Sequence, residues 1–153
     1  MTHAYRFAVT LIVITAALLL AIASLNVLHV AGNLSPSVPR GFYRITHAPL
    51  QRGAYVILKM PLKRVAALSG DTVRVTAEGS YVNGKLWPGS AIPADVSATH
   101  RLEHYPFGIY VLKSGQLWVL SNNPLGWDSR YFGPIDQQLV SATAQPLFTE
   151  KPQ

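Results

Sequence analysis

The chain has 153 residues and contains no cysteine. This absence excludes disulfide bonds, cysteine-ligated zinc and a thiol nucleophile. Charged residues are scarce, at 13%, and the lysines and arginines are scattered along the chain although the net charge is +6. A nucleic-acid-binding surface generally needs a clustered basic stripe, so no nucleic-acid partner is expected. The excess of positive charge fits a protein that lies near an anionic membrane surface.

The most prominent feature present is an uncharged apolar run over residues 7–25. In a helix, a run of this length spans about 28 Å, close to the ~30 Å hydrocarbon core of a bilayer. The run and its weaker continuation predict a transmembrane helix over residues 7–30, preceded by a short cytoplasmic tail (residues 1–6) and followed by an exported domain (residues 31–153). A cleaved signal peptide with a small-residue cleavage signal at Ala21-Ile22-Ala23 is the alternative.

Beyond the apolar run, short segments rich in β-branched and aromatic residues alternate with Gly, Pro and Asn turns, a pattern typical of strands. Asn83-Gly84 joins two such segments and is the strongest hairpin signal, because both residues tolerate the positive φ of a type I′ turn. Together these segments predict a mainly β fold, a distorted barrel or sandwich behind one helix. The predicted strands are 41–46, 53–60, 72–76 and 139–148, and the predicted hairpins are 80–82 with 85–87 and 108–113 with 116–120.

The segment 33–43 just beyond the apolar run contains the candidate nucleophile. It presents Ser37 between Pro36 and Pro39, which restrict the backbone on both sides. A serine on such a rigid, irregular segment is held in one place, as a nucleophile must be. A Pro/Ser/Gly linker leaving a membrane anchor is the alternative interpretation.

A serine nucleophile needs a base, and the chain offers two kinds. Lys63 lies between a segment predicted to be buried and an apolar run, so desolvation can lower its pKa and leave the amine neutral. A histidine with an aspartate partner is the alternative. The candidates for that pairing are His47, His100 and His104 with Asp95 and Asp136.

The stretch His100-Arg-Leu-Glu103-His104 matches the H-x-x-E-H pattern of inverted zinc peptidases. That chemistry needs both histidines on one helix face and a further ligand. The segment between Pro93 and Pro106 has little helical pattern, so we expect a polar loop there. The sequence therefore predicts no metal site and no cofactor.

Three motifs follow one another along the chain. They are Ser35-Pro-Ser37-Val-Pro39, then Lys63-Arg64-Val-Ala-Ala-Leu68-Ser-Gly70-Asp71, then Asn122-Asn123 followed by Asp128-Ser-Arg-Tyr-Phe-Gly133. In order and spacing they resemble the boxes of the bacterial signal peptidase I superfamily. The Ser-x-Pro-x-Gly-x-Tyr pattern of residues 37–43 is similar to that of its TraF-type conjugative-transfer peptidases.

The resemblance implies a compact, signal-peptidase-like all-β catalytic domain and a role for several residues. Ser37 matches the nucleophile, Lys63 the general base, and Ser35 a side-chain donor to the oxyanion hole. The residues expected to shape the site are Asp71, Asp128, Ser129 and Arg130. From the residues alone, Asp128 and Arg130 are expected to form a salt bridge that fixes the late loop.

The chain also departs from the family pattern at three places. Ser69 replaces a proline, and Asn122-Asn123 stands where Gly-Asp-Asn is usual. Gly126 stands where housekeeping enzymes have a serine that orients the lysine, and Ser129 is the candidate substitute.

The implied function is that of a membrane-anchored Ser/Lys endopeptidase that removes signal or leader sequences from exported precursors. The implied location is the bacterial inner membrane, with the catalytic domain in the periplasm and the lipid bilayer as a partner. The TraF-type likeness indicates a conjugative pilin as the substrate, with a linear or cyclic product, and pilus or type IV secretion components as partners. A housekeeping signal peptidase and a catalytically inactive interaction module remain the alternatives.

Overall fold

The computed structural model describes residues 3–59, 62–93 and 103–150. In these residues an N-terminal helix, α1 (His3–Val27), precedes eleven strands in two antiparallel sheets, which confirms the mainly β fold. The helix occupies His3–Val27 instead of residues 7–30, and Val30 already belongs to the first strand. The strands are β1 (Val30–Asn33), β2 (Gly41–Thr46), β3 (Tyr55–Leu58), β4 (Lys63–Ala67), β5 (Thr72–Thr76), β6 (Gly79–Val82), β7 (Lys85–Leu86), β8 (Gly108–Val111), β9 (Gln116–Leu120), β10 (Ile135–Asp136) and β11 (Val140–Thr149).

The helix α1 is long and apolar enough over His3–Leu25 to cross a membrane, with a mean hydropathy of 2.7 and no part of this window buried against the protein. Its hydroxyl side chains are satisfied within the helix, because Thr10, Thr15 and Ser24 each donate a hydrogen bond to the carbonyl four residues earlier. Such internal pairing lowers the cost of placing polar groups in a hydrocarbon environment.

The larger sheet has the strand order β1-β2-β11-β3-β4-β9-β10 among the described residues. Its strand β9 is apolar on both faces. Leu117 and Val119 pack with residues of β3 and β4, whereas Trp118 and Leu120 pack against the smaller sheet. Strand β9 also has a strand at each edge, because it pairs with β4 on one side and β10 on the other.

The smaller sheet has the order β7-β6-β5-β8 in the described part of the chain. Its central strand β5 alternates, with Val73 and Val75 fully buried and the intervening Arg74 exposed. The predicted hairpin at Asn83-Gly84 is confirmed: β6 pairs with β7, and both turn residues have positive φ, 49° and 83°.

The second predicted hairpin, 108–113 with 116–120, is wrong. Strand β8 pairs with β5 in the smaller sheet, whereas β9 pairs with β4 and β10 in the larger one. Strand β8 leaves Ile109 and Val111 exposed, which suits a sheet edge, while β9 requires cover on both faces. The chain therefore changes sheet at the turn around Ser114-Gly115.

The late segment 121–133 contains one helical turn, α2 (Ser129–Phe132). Asp128 caps this turn by accepting a hydrogen bond from the backbone N–H of Arg130. Gly133, with φ of 78°, ends it. The cap brings Asp128 and Arg130 together at the start of the helical turn.

Candidate active site

The side chain of Asn33 organises the turn that presents Ser37. Its Nδ2 donates to the backbone carbonyls of Ser35 (2.9 Å), Val38 (3.2 Å) and Pro39 (3.3 Å), and its Oδ1 accepts from the N–H of Ser35 (3.2 Å). Asn33 is buried at the end of β1. One side chain thus holds the backbone on both sides of Ser37. Sequence reasoning missed this role, although asparagine commonly bonds the backbone two residues ahead.

Two further residues fix the end of the same turn and account for the Gly-x-Tyr part of the motif. The buried Tyr43 hydroxyl donates to the Pro39 carbonyl, and burial, aided by Tyr55, raises the pKa of Tyr43 to about 12. Gly41 has φ of 145°, and a Cβ there would lie 2.0 Å from the Phe148 carbonyl oxygen. Only glycine permits this approach of β11 to the turn.

The side chains of Lys63 and Ser37 are in direct contact at this turn. Lys63 Nζ donates a hydrogen bond of 3.1 Å to Ser37 Oγ, and both residues are buried, with Lys63 only 2% exposed. Burial lowers the pKa of Lys63; the negative charge of Asp128 opposes this shift and the positive charge of Arg130 adds to it. The structure therefore places a serine hydroxyl against an amine that loses its proton more readily than a lysine in water.

The backbone of Ser37 is held from two directions. Its N–H donates to Ser35 Oγ (3.2 Å), so the two groups expected to form the oxyanion hole are adjacent. Its carbonyl accepts from the N–H of Asn122 at 2.6 Å. The contact with Asn122 ties the loop after β9 to the turn around Ser37, and it uses a backbone group that no side-chain pattern could have revealed.

Asp128 and Arg130 form the expected salt bridge, and it is fully buried. Arg130 Nη2 lies 2.7 Å from Asp128 Oδ2, and both side chains are 0% exposed. Asp128 also accepts from the N–H of Ser121, while Arg130 donates to the carbonyls of Ala91 and Asn123. The pair satisfies its hydrogen-bonding groups internally, as a buried pair must, and it fixes the loop that approaches Ser37.

The structure does not pair Ser129, the candidate substitute for the lysine-orienting serine, with Lys63, and it explains why Gly126 carries no such serine. The hydroxyl of Ser129 accepts from the N–H of Val119, and among the described residues Lys63 makes its side-chain hydrogen bond to Ser37 alone. A Cβ at Gly126 would lie 2.0 Å from Ser121 Oγ, so this backbone has no room for a serine at that position.

Asp71 belongs to the turn between β4 and β5. Its carboxylate accepts two hydrogen bonds from Arg52, one from the N–H of Leu68 and one from Asn83. The contact with Arg52 is the largest cause that lowers the pKa of Asp71 to about 2. These contacts fix the turn that follows β4, the strand on which Lys63 lies.

The histidine alternative finds no support in the described residues. His47 is exposed, and the ring of His104 bonds the backbone carbonyl of Tyr105 and stacks on Phe107. The carboxylate of Asp136 accepts from the N–H of Gln138. Asp95, His100 and most of the H-x-x-E-H motif lie outside the described residues. Within residues 3–59, 62–93 and 103–150, no group of three or more His, Asp or Glu side chains could hold a metal ion.

A groove of about 290 Å³ runs beside the turn. Its walls come from residues 31–35, Tyr43, Ile57 and Leu62, so it extends from the edge strand β1 to Ser35. The walls are largely apolar and backbone is available along β1. Such a groove accepts an extended peptide with small apolar side chains.

The fold and the site define a mainly β protein with a candidate Ser–Lys hydrolase centre. Residues 2–148 match the family model described as signal peptidase, peptidase S26, and the chain belongs to this family. The resemblance seen in the sequence is thereby confirmed. Membership gives the chain a signal-peptidase-like function and implies serine peptidase activity on precursor proteins. With the apolar helix α1, it also indicates a membrane-anchored protein.

Relatives from plasmid conjugation are among the most similar proteins. Two proteins from Escherichia coli named plasmid transfer protein TraF are 33% and 31% identical, over 88% and 76% of this chain and 90% and 81% of their own lengths. A conjugal transfer protein TraF from Agrobacterium fabrum is 28% identical over 78% of this chain and 82% of its own length. A crystal structure of a signal peptidase I from Enterococcus faecalis matches 67% of this chain and 100% of that chain, with 21% identity and a TM-score of 0.43.

Proposed function

We propose that the chain is a membrane-anchored serine endopeptidase in which Ser37 is the nucleophile and Lys63 the general base. The observation that carries the proposal is the buried hydrogen bond of 3.1 Å between Lys63 Nζ and Ser37 Oγ. A lysine acts as a base only when it is neutral, and burial lowers its pKa in that direction. Its proximity to the hydroxyl lets it take the proton as the bond to the substrate forms.

The reaction follows from these positions. Ser37 Oγ attacks the scissile carbonyl, and its proton moves to Lys63 Nζ. The developing oxyanion accepts hydrogen bonds from the Ser37 N–H and the Ser35 hydroxyl, which already lie side by side. Lys63 then returns the proton to the leaving amine, and an acyl-enzyme remains on Ser37. Water releases a linear product, whereas an amine of the substrate itself would release a ring.

The substrate is a precursor whose signal segment spans the bilayer. The first strand follows the helix α1 after only Leu28 and His29, so the groove is held close to the membrane surface. An extended segment that leaves the bilayer can pair with the edge strand β1 and place small side chains in the groove beside Ser35. The anchor and the substrate's own signal segment then lie in the same bilayer.

The relatives are named plasmid transfer and conjugal transfer proteins, which supports a precursor exported for conjugation, and the substrate proposed here is a conjugative pilin. In this proposal residues 1–6 lie in the cytoplasm, the rest of the helix α1 crosses the bacterial inner membrane, and the chain from β1 onward lies in the periplasm. Pilus or type IV secretion components are the expected partners because the product would be handed to them.

The test is to incubate the detergent-solubilised protein with a candidate pilin precursor and weigh the products by mass spectrometry. The wild type and Ser114→Ala, a change at an exposed turn serine, should cleave the precursor, and Ser37→Ala should not. A product lighter than the linear fragment by one water would identify ring closure. Cleavage by Ser37→Ala would contradict the assignment of the nucleophile, and no cleavage by the wild type would contradict the proposed substrate.

A further inference from the structure

A second cavity, of about 600 Å³, opens between β4 and the hairpin of β6 and β7. We call it the cationic cavity because its described walls contain Arg52, Arg64 and Lys85 but no carboxylate. Trp87 supplies an aromatic wall. The volume is typical of ligand sites in proteins. A cavity with several cations and no acid in its described walls favours a ligand that supplies negative charge.

Arg64 is held in place with its donors available. Its Nε donates to the Gly53 carbonyl at 3.3 Å, and its guanidinium lies over the rings of Trp87 and Tyr55, at 5.2 and 5.9 Å from their centroids. The terminal nitrogens of Arg64 make no hydrogen bond to the described residues. A guanidinium fixed in this way matches the two oxygens of a carboxylate at little entropic cost.

The charge of the cavity comes from two residues. Arg52 is already neutralised by Asp71, with which it makes two hydrogen bonds of 2.7 and 2.8 Å. Lys85 is exposed on the two-residue strand β7, and its amine bonds no side chain in the described part of the protein. Arg64 and Lys85 therefore leave two positive charges without a described partner.

The cavity adjoins the turn around Ser37. Asn122 lines the cavity, and its backbone N–H holds the Ser37 carbonyl. Arg64 follows Lys63 on β4 and projects to the opposite face of that strand. In the larger sheet β2, β11 and β3 separate β4 from β1, the strand next to the helix, so a lipid headgroup is the less suitable ligand.

We propose that the cationic cavity binds acidic residues of the peptide substrate next to the scissile bond. A chain that passes Ser37 can enter the cavity at Asn122, and a carboxylate there would pair with Arg64 and Lys85. This inference rests on the proposed function. It adds a preference for acidic residues after the scissile bond, which neither the groove beside Ser35 nor the Ser37–Lys63 pair provides.

Binding is tested first without catalysis, on Ser37→Ala. Two labelled peptides share a precursor cleavage sequence and differ only in three glutamates or three glutamines placed after the scissile bond. Fluorescence anisotropy should show about tenfold tighter binding of the glutamate peptide, weakened by added salt. Lys85→Gln and Arg64→Gln, each made in this background, should reduce the preference severalfold. Lys113→Gln, a matched charge removal at an exposed turn outside the cavity, should leave it unchanged.

Equal affinity for the two peptides would overturn the inference. It would also be overturned if Lys113→Gln reduced the preference for the glutamate peptide as much as Lys85→Gln does. Lys85 is exposed and packs little, so its variant keeps the test valid if Arg64→Gln fails to fold. Cleavage assays with active protein separate the two proposals. Cleavage of both peptides at equal KM contradicts the binding of acidic residues in the cationic cavity but not the peptidase activity. Selective binding of the glutamate peptide without cleavage supports the role of the cavity and contradicts the peptidase activity.

Discussion

Asn33→Asp should disable catalysis while leaving the protein folded. The carboxylate has the size of the amide but cannot donate, so three carbonyl oxygens, those of Ser35, Val38 and Pro39, lose their partner and face a negative charge. The amide has two N–H groups for these three contacts, so at about 1 kcal/mol for each hydrogen bond the turn loses about 2 kcal/mol, and the carbonyl oxygens left facing a carboxylate raise this loss to about 3 kcal/mol. At about 1.4 kcal/mol per tenfold change, kcat should fall about 100-fold.

The assay is steady-state cleavage of a model precursor peptide, with the melting temperature measured in parallel. Asn33 also lines the groove beside Ser35, so kcat and KM must be separated. A positioning role lowers kcat, whereas damage to the groove alone raises KM. Thr46→Val is the stability control because it removes a partly buried hydroxyl pair with Thr143, 2.7 Å apart, in β2 and β11. It should lower the melting temperature and leave kcat unchanged.

A kcat of Asn33→Asp within twofold of the wild type would refute the reasoning. A positioning role for Asn33 would also be excluded if Asn33→Asp changed only KM. It would be excluded likewise if Asn33→Asp and Thr46→Val lowered the melting temperature equally and reduced kcat equally.

Three further changes test the buried charges and the close contacts. Lys63→Met removes the general base, so the cleavage rate should fall by ~10²- to 10⁴-fold. The same change should raise the melting temperature at pH 7, because burial lowers the pKa of Lys63 and so opposes its charged form in the folded state. A lower melting temperature would contradict this reason. In the wild type, kcat/KM should rise with pH as this amine loses its proton, and a flat profile would count against a lysine base. Gly126→Ser should cost about 1–3 kcal/mol in urea unfolding because its Cβ meets Ser121, and unchanged stability would show that the loop adapts. The pKa of Asp71 is held at about 2, below its ordinary value of 3.8. The charged carboxylate therefore stabilises the fold fully above pH 3.8, and this stabilisation is lost as the pH falls towards 2. The melting temperature of Asp71→Asn should fall less over this pH range than that of the wild type.

The parts of the fold that depend on local chemistry were predictable from the sequence. The Asn83-Gly84 hairpin is an example, because the turn type follows from two residues that tolerate positive φ. The hairpin predicted at Ser114-Gly115 was wrong for a non-local reason. Proximity along the chain favours pairing of β8 with β9, but β9 pairs with β4 and β10 in the larger sheet, where one of its faces packs with that sheet's own residues and the other packs against the smaller sheet.

The candidate site divides in the same way. Ser37 and Lys63 were recognisable by residue type and motif order, and the structure brings them within hydrogen-bonding distance. The roles of Asn33 and Asn122 were not recognisable, because one depends on the path of a turn and the other on a backbone N–H. The motif pattern also does not explain why Gly126 carries no serine, because the reason is that Ser121 occupies the space.

The central claim, that Ser37 is the nucleophile activated by Lys63, is tested most directly by trapping the acyl-enzyme. A precursor peptide with an ester at the scissile position would be mixed with wild-type protein, quenched with acid and mapped by peptide mass spectrometry. If Lys63 activates Ser37, an acyl adduct should appear on the peptide that contains Ser37, be absent from Ser37→Ala and be strongly reduced in Lys63→Met. An adduct on any other residue, or undiminished acylation in Lys63→Met, would contradict it.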